Sequence, residues 1–464
     1  MGKKRKSKSA LAVDALRNHF GKIDLSSLLA ANRTFPVTSR ADLQIALERL
    51  FSGTYTADLI GVHPQYSHEP LSTAHLVTEG NYPPFVGPLQ SDEIDIGEPM
   101  PARCLQHGLW LGEQKKLKFS VLLTSAHRFG QELGIRVEVA VPPGETGATF
   151  SRVFFKELED LVSTAASYKG KVISLEMADR YSGHTGRIRV HKLHKVQREE
   201  VILPAKTLDL LDRNVSDFIK QRENLKRLGM AVKKGLLFYG PPGTGKTHTI
   251  HYLASTLKEH TTLLITAEQV AWLDTYVQLA RFLQPAVVVI EDVDLIARDR
   301  AQMHGPCEES LLNKLLNEMD GLREDASILF VLTTNRPEQL ETALASRPGR
   351  IDQAIEFPLP DENGRRKLVQ LYARGLPIGE DLVERAVRKT RHASAAFIKE
   401  LLRRAAQYYV DEDSRNGLQQ SHLDAALEEM LFSGGSLNLK LLGADPSIAE
   451  AEPESEEITT KFRN

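Results

Sequence analysis

Cysteine is nearly absent from this chain of 464 residues: only Cys104 and Cys307 occur. Two thiols cannot build a disulfide framework or a Cys-rich zinc module. No run approaches the ~18 consecutive apolar residues of a membrane-spanning helix. The start, MGKKRKSKSALAVDAL, is basic but has no long apolar core, so it does not read as a secretory signal. An excess of one charge is missing too. Lys and Arg total 59 against 61 Asp and Glu, a net charge of −2, which excludes an all-over basic nucleic-acid coat. The sequence contains no H-E-x-x-H, the zinc-protease signature. What remains is a soluble, multi-domain composition, with a reducing, cytoplasmic compartment as the expectation.

The chain divides by character. Residues 1–24 read as a basic N-terminal tail carrying Lys3, Lys4, Arg5, Lys6 and Lys8. Residues 25–200 read as an α+β N-terminal domain for a partner or substrate, with strand-like runs at Phe119–Leu123, Ile135–Val141, Val172–Met177 and Ile188–Val196. Amphipathic helices are expected around 41–51 and 154–168. From 201 to 362 an entry strand and a helix lead into alternating strands and helices. That alternation predicts a mainly parallel sheet covered on both faces. Strands are expected at Gly235–Tyr239, Thr262–Thr266, Ala286–Ile290, Ile328–Thr333 and Ile355–Phe357. Residues 363–434 read as helical only, with Ser394 and Ser421 as N-caps. Residues 435–464, rich in Glu between 450 and 457, read as an acidic disordered tail.

One loop carries chemistry directly. Gly240, Pro241, Pro242, Gly243, Thr244, Gly245, Lys246 and Thr247 fit G-x-x-x-x-G-K-[ST], between an apolar strand and a helix. Glycines let backbone N–H groups turn around phosphate oxygens, and the helix N-terminus adds a positive dipole end. Lys246 is expected to reach the β- and γ-phosphates of ATP, and Thr247 to supply a hydroxyl to Mg²⁺. His248 follows and is included in the nucleotide-binding set.

A second element is Val287-Val-Val-Ile-Glu-Asp-Val-Asp294, a buried strand with carboxylates at its carboxyl end, where open α/β sheets bind ligands. Glu291 is expected to orient Mg²⁺ together with Thr247, and Asp292 to polarise the attacking water.

These residues resemble the AAA family of ATPases, the AAA+ branch of the P-loop NTPases, over residues 201–433. The resemblance implies a P-loop α/β module with an all-α lid, ATP hydrolysis with Mg²⁺, and a homohexameric ring. Leu315-Leu-Asn-Glu-Met-Asp-Gly-Leu322 looks like the family's segment before the sensor strand, and Phe330-Val-Leu-Thr-Thr-Asn-Arg-Pro337 looks like that strand, with Asn335 at the sensor position. Ser346-Arg-Pro-Gly-Arg-Ile-Asp352 resembles the second region of homology; Arg347 and Arg350 match its arginines, which in the family act as fingers in the neighbouring subunit's ATP site. Ser394-Ala-Ala-Phe occupies the place of the family's Gly-Ala pair near the adenine.

Two departures stand out. The family usually has Asp then Glu where this chain has Glu291 then Asp292, so the base is shorter by roughly 1.3–1.5 Å. The family's mitochondrial folded-protein translocase branch shares that inverted order. The aromatic pore loop has no clear counterpart in the shortened segment after Ala267, where Trp272 is the nearest aromatic.

The expected function is an ATP-driven, ring-forming remodeller of protein substrates or assemblies, with an unidentified client on the N-terminal domain. The alternatives are a nucleotide-gated binding switch without threading, and a nucleic-acid-associated ATPase resting on Lys3–Lys8 and on RIRVHKLHKV. His191 and His194 in that stretch read as a solvated strand face rather than as metal ligands.

Overall fold

A computed structural model describes residues 11–66, 71–78, 82–128, 131–164, 167–176, 187–298, 315, 317–321, 323–338, 340, 350–412 and 417–433. The basic run Lys3–Lys8, Cys307, Arg347, residues 177–186 and the acidic segment after 433 lie outside the described residues. The chain forms two compact units, one of residues 1–192 with 278–283 and one of residues 193–277 with 284–464.

The first unit contains helices α1 (Ala12–Phe20), α2 (Arg40–Arg49), α3 (Thr73–Val77) and α4 (Glu145–Thr164). Its strands are β1 (Leu29–Phe35), β2 (Ala57–His63), β3 (Phe85–Gly87), β4 (Gln90–Ile94), β5 (Ala102–Gln114), β6 (Leu117–Arg128), β7 (Gln131–Val141), β8 (Val172–Glu176) and β9 (Arg187–His191). The sheet runs β1-β7-β6-β5-β2-β3, with β4 also on β5. Successive strand side chains point to opposite faces. Val121 and Leu123 therefore join α2 and α4 in one core, with Trp110, Leu47 and Phe154. Leu122 and Leu109 point the other way and pack on Leu16 and Phe20 of α1 and Leu76 of α3.

The structure revises several local readings here. Residues 12–20, assigned above to a basic tail, form a helix, because Ala12, Leu16 and Phe20 make an apolar face that the sheet buries. The helix expected at 154–168 runs from 145 to 164, its apolar stripe beginning at Phe150. The strand expected at Ile188–Val196 ends at His191.

The second unit carries α5 (Ala205–Asp212), α6 (Phe218–Arg227), β10 (Lys234–Tyr239), α7 (Lys246–Thr256), β11 (Thr261–Ile265), the first half of α8 (Leu273–Phe282), β12 (Ala286–Ile290), α9 (Val293–Arg298), β13 (Ile328–Thr334) and β14 (Gln353–Glu356). Strands β14-β10-β13-β12-β11 neighbour one another in that order, with parallel pairing throughout. Helices on both faces bury β12 and β13 entirely, which is why they read as unbroken apolar runs rather than alternating ones. The chain leaves β10, builds β11 and β12, and returns to place β13 between β12 and β10. The carboxyl ends of β10, β13 and β12 are thereby neighbours, at the position where α/β sheets bind ligands.

Four helices follow: α10 (Glu362–Tyr372), α11 (Glu380–Lys389), α12 (Ala395–Asp411) and α13 (Gln420–Glu428). Their stripes, including Leu368, Val387, Phe397, Leu401 and Leu423, form one separate core with Met430 of the turn after α13. Ser394 caps α12, its hydroxyl accepting from Phe397 N at 3.1 Å. Ser394→Ala should therefore cost about 1 kcal/mol, read from a urea unfolding curve. A loss below ~0.3 kcal/mol would show that the cap contributes nothing. Ser421, in contrast, lies inside α13, whose N-cap is Gln419. The expected entry strand at 201–204 is also absent, because Pro204 carries no N–H for a ladder and Val201 to Leu203 instead wall a cavity.

Candidate functional site

The cavity at these strand ends encloses about 370 Å³, inside the ~300–1,000 Å³ range of small-molecule sites. Its floor is the loop after β10. Gly243 has φ 76°, and a Cβ there would come within 2.8 Å of both Ala396 Cβ and Ser394 Oγ. Only glycine fits this close approach to the start of α12, which Ala396 N seals by donating to Gly243 O at 3.1 Å. The lid helix is thus bonded directly to the phosphate loop.

Lys246 opens α7 and is buried. Its Nζ donates to the carbonyls of Gly240 (2.8 Å) and Pro241 (2.9 Å). Burial pulls its pKa down to about 8 against the opposing pull of Asp292 and Asp294, so at pH 7 it stays mainly protonated. Thr247 Oγ1 donates to Glu291 Oε1 at 2.8 Å, joining the phosphate loop to the end of β12.

Asp292 is in the left-handed region, φ 50°, a conformation that aspartate tolerates better than most residues. Two bonds hold it there: its N–H donates to Thr333 Oγ1 at 3.0 Å, and its Oδ1 accepts from Asn335 Nδ2 at 3.0 Å. Burial and the nearby Asp294 charge raise its pKa, opposed by Lys246 and by the Asn335 bond. Asp294 is 3% exposed and accepts from Thr334 Oγ1 (2.8 Å) and Asn335 N (3.2 Å). It fixes the end of β13 against the end of β12.

The expected residues fall into two sets. Lys246, Thr247, Glu291, Asp292 and Asn335 converge at one place, while His248 lines the cavity but turns its Nε2 to Glu200 O at 3.1 Å. Arg350 is elsewhere, near the amino end of β10, where its guanidinium is 15% exposed and paired with Asp320 of the same chain. Sequence reasoning missed Asp294, Thr333, Val201, Tyr372 and Lys399. Asp294 was visible as the third acid of Glu291-Asp-Val-Asp294. The cavity residues Tyr372 and Lys399 were not, because the return of the lid over the loop leaves no local mark.

The donor set fits a magnesium-bound nucleoside triphosphate. A buried ammonium and a glycine loop at a helix N-terminus suit the phosphates, and Thr247 with Glu291 offers hard oxygen ligands to the cation. The apolar walls Val201, Ile202, Leu368 and Ala395 suit a base. Among the described residues no cluster of His, Cys, Asp and Glu forms a protein-only metal site. Nor is any described helix long and apolar enough to cross a membrane.

Comparison with known proteins agrees with this geometry. Residues 236–359 match the family described as "ATPase family associated with various cellular activities (AAA)". An ATP-dependent zinc metalloprotease FtsH of Thermus thermophilus is 30% identical over 251 residues, 51% of this chain and 39% of that protein. The FtsH of Lachnoclostridium phytofermentans is 34% identical over 225 residues, 46% of this chain and 39% of that one. A Cell division cycle protein 48 homolog of Archaeoglobus fulgidus is 32% identical over 199 residues, 41% of this chain and 27% of that protein. The chain therefore spans well under half the length of these relatives. Residues 236–359, which hold the phosphate loop, the paired acids and Asn335 on a parallel sheet, thus form an ATPase domain of the AAA family within this chain.

Proposed function

We propose that the protein hydrolyses ATP with Mg²⁺ at this site, assembles into rings, and uses the cycle to remodel protein clients held by its first unit. The observation that carries the proposal is the convergence of Lys246, Thr247, Asp292 and Asn335 on one cavity, with Glu291 bonded to Thr247 beside it. Lys246 would neutralise the transferring phosphate, and Thr247 and Glu291 would hold Mg²⁺, whose charge would stabilise the phosphate oxygens. Asp292 would take the proton of the attacking water, with Asn335 orienting its carboxylate. The left-handed backbone at Asp292 supports the view that the chain compensates for the shorter side chain by turning its main chain.

Ring formation rests on the resemblance of Arg347 and Arg350 to trans-acting fingers; Arg350 does not line the cavity of its own chain and pairs with Asp320 instead. A site completed by a neighbour has a measurable consequence. ATP turnover per protomer should rise at least several-fold as protein concentration increases through the assembly range, followed by steady-state assay beside mass photometry. Constant specific activity from dilute monomer to concentrated protein would overturn the ring reading.

One observation favours the second reading, a nucleotide-gated switch without threading. Trp272 ends a capped turn, Ala267–Trp272, and is half-buried rather than displayed on a free loop. The basic stretch behind the nucleic-acid reading places His191 on Ser174 Oγ at 2.7 Å, a bond within the β8–β9 pair. A cytoplasmic location is part of the proposal and rests on the low cysteine content and the composition.

A further inference from the structure

At the other end of β10 from the phosphate loop lies a second cavity, of about 790 Å³, lined from α5, the turn after it, α6 and the amino ends of β10 and β14. The six residues of β10 separate it from the nucleotide site by roughly 17 Å at ~3.3 Å per residue.

Two cations line it. The guanidinium of Arg213 is exposed and has no hydrogen-bond or ion-pair partner among the described residues. Lys234 is half-buried; its Nζ donates to Asn214 Oδ1 at 2.8 Å and lies 4.5 Å from the centroid of the Phe218 ring. Asn214 is held for this contact, since its Nδ2 donates to Leu210 O at 2.8 Å. Burial lowers the Lys234 pKa; Asp352 opposes that shift and the Arg213 charge adds to it. Beside the same ring, at 5.6 Å, lies the guanidinium of Arg222. Arg222 is 4% exposed, and its Nε and Nη2 have no hydrogen-bond partner among the described residues.

Two acids are near. Asp352, whose charge acts on Lys234, accepts from Gly235 N at 2.7 Å, and Asp217, an exposed residue of the cavity lining, is 3.6 Å from Lys220. Like charges brought together around a half-buried wall cost free energy unless an anion joins them. A guanidinium fork and an ammonium match a phosphate group, which carries about −1.5 to −2 charges at pH 7. Leu210 and Phe218 add apolar wall, and the volume far exceeds a bare phosphate.

We infer that this cavity is a second anion site that binds a small organic phosphomonoester, its phosphate between Arg213 and Lys234 and its body against Leu210 and Phe218. The site is independent of ATP hydrolysis at the first cavity.

The test is calorimetric titration of the full chain with phenyl phosphate and with inorganic phosphate, with the nucleotide site saturated by ATP, and again in Lys246→Ala. Phenyl phosphate should bind both proteins alike and more tightly than inorganic phosphate does. Arg213→Gln and Lys234→Met should each weaken it about tenfold or more. Arg213 is exposed, so Arg213→Gln remains informative if Lys234→Met fails to fold. No binding to the wild type, or binding lost in Lys246→Ala but kept in Arg213→Gln, would overturn the site. Equal affinity for the two ligands would overturn the assignment of an organic body.

Discussion

Asp292→Asn is expected to lower ATP turnover by about 10²–10⁴-fold while leaving nucleotide affinity within a few-fold. The amide has nearly the same shape and can still accept from Asn335 Nδ2 and donate its main-chain N–H to Thr333. What is lost is the negative charge, and with it the capacity to take a proton. Steady-state turnover beside equilibrium binding of a fluorescent ATP analogue separates the two quantities. A turnover within threefold of wild type would remove Asp292 from the role of base.

The pH profile supplies a second check. The carboxylate must be ionised to act, and burial with the neighbouring Asp294 charge raises its pKa. The acid limb of kcat should therefore lie above the ordinary aspartate range. Asp294→Asn removes one of the charges that raise it, so in that variant the limb should move to lower pH. A limb that stays in place would show that Asp294 does not tune the base.

Asp294→Ala is expected to destabilise the protein itself, by roughly 2–4 kcal/mol, since each buried donor left unpaired costs about 1–3 kcal/mol. The carboxylate is the acceptor for Thr334 Oγ1 and for Asn335 N, in a place that water scarcely reaches. Loss of that acceptor frees the end of β13, and Asn335 with it. Turnover should fall as well, without any contact between Asp294 and the substrate being lost. Urea unfolding in the absence of nucleotide measures the stability term. Asp294→Asn, which keeps an acceptor oxygen, should recover at least half of it. A loss below 1 kcal/mol in Asp294→Ala would mean that β12 and β13 are held by their ladder alone.

The ATPase module was legible because its signals are local. The run Ala286–Ile290 reads as a strand buried on both faces, and it is one. The glycines at 240, 243 and 245 report a backbone that must take positive φ, and each does. The first unit was harder. Its strands alternate, but both of its faces are covered, so neither face is polar enough to mark solvent, and α1 was hidden behind a basic run. Val201-Ile202-Leu203 misled for a related reason: three apolar residues look alike whether they enter a ladder or wall a ligand cavity. Helix ends were similarly soft, as Ser421 shows, because Gln419 can cap from two residues earlier.

By itself the sequence determined which groups could handle phosphate: an ammonium in a glycine loop, two acids after an apolar strand, and an amide after another. Tertiary structure alone decided that these groups share one cavity. It did so by inserting β13 between β10 and β12, which sets Asn335 against Asp292 and Thr247 against Glu291. It also decided that a third acid, Asp294, serves as the brace between those strand ends, and that the third lid helix, α12, is bonded to the phosphate loop through Ala396 and Gly243. The physical reason is range. Backbone conformation and burial periodicity act over a few residues and leave their mark on composition, whereas contacts between groups 40 or more positions apart in the chain exist only once strand order is set.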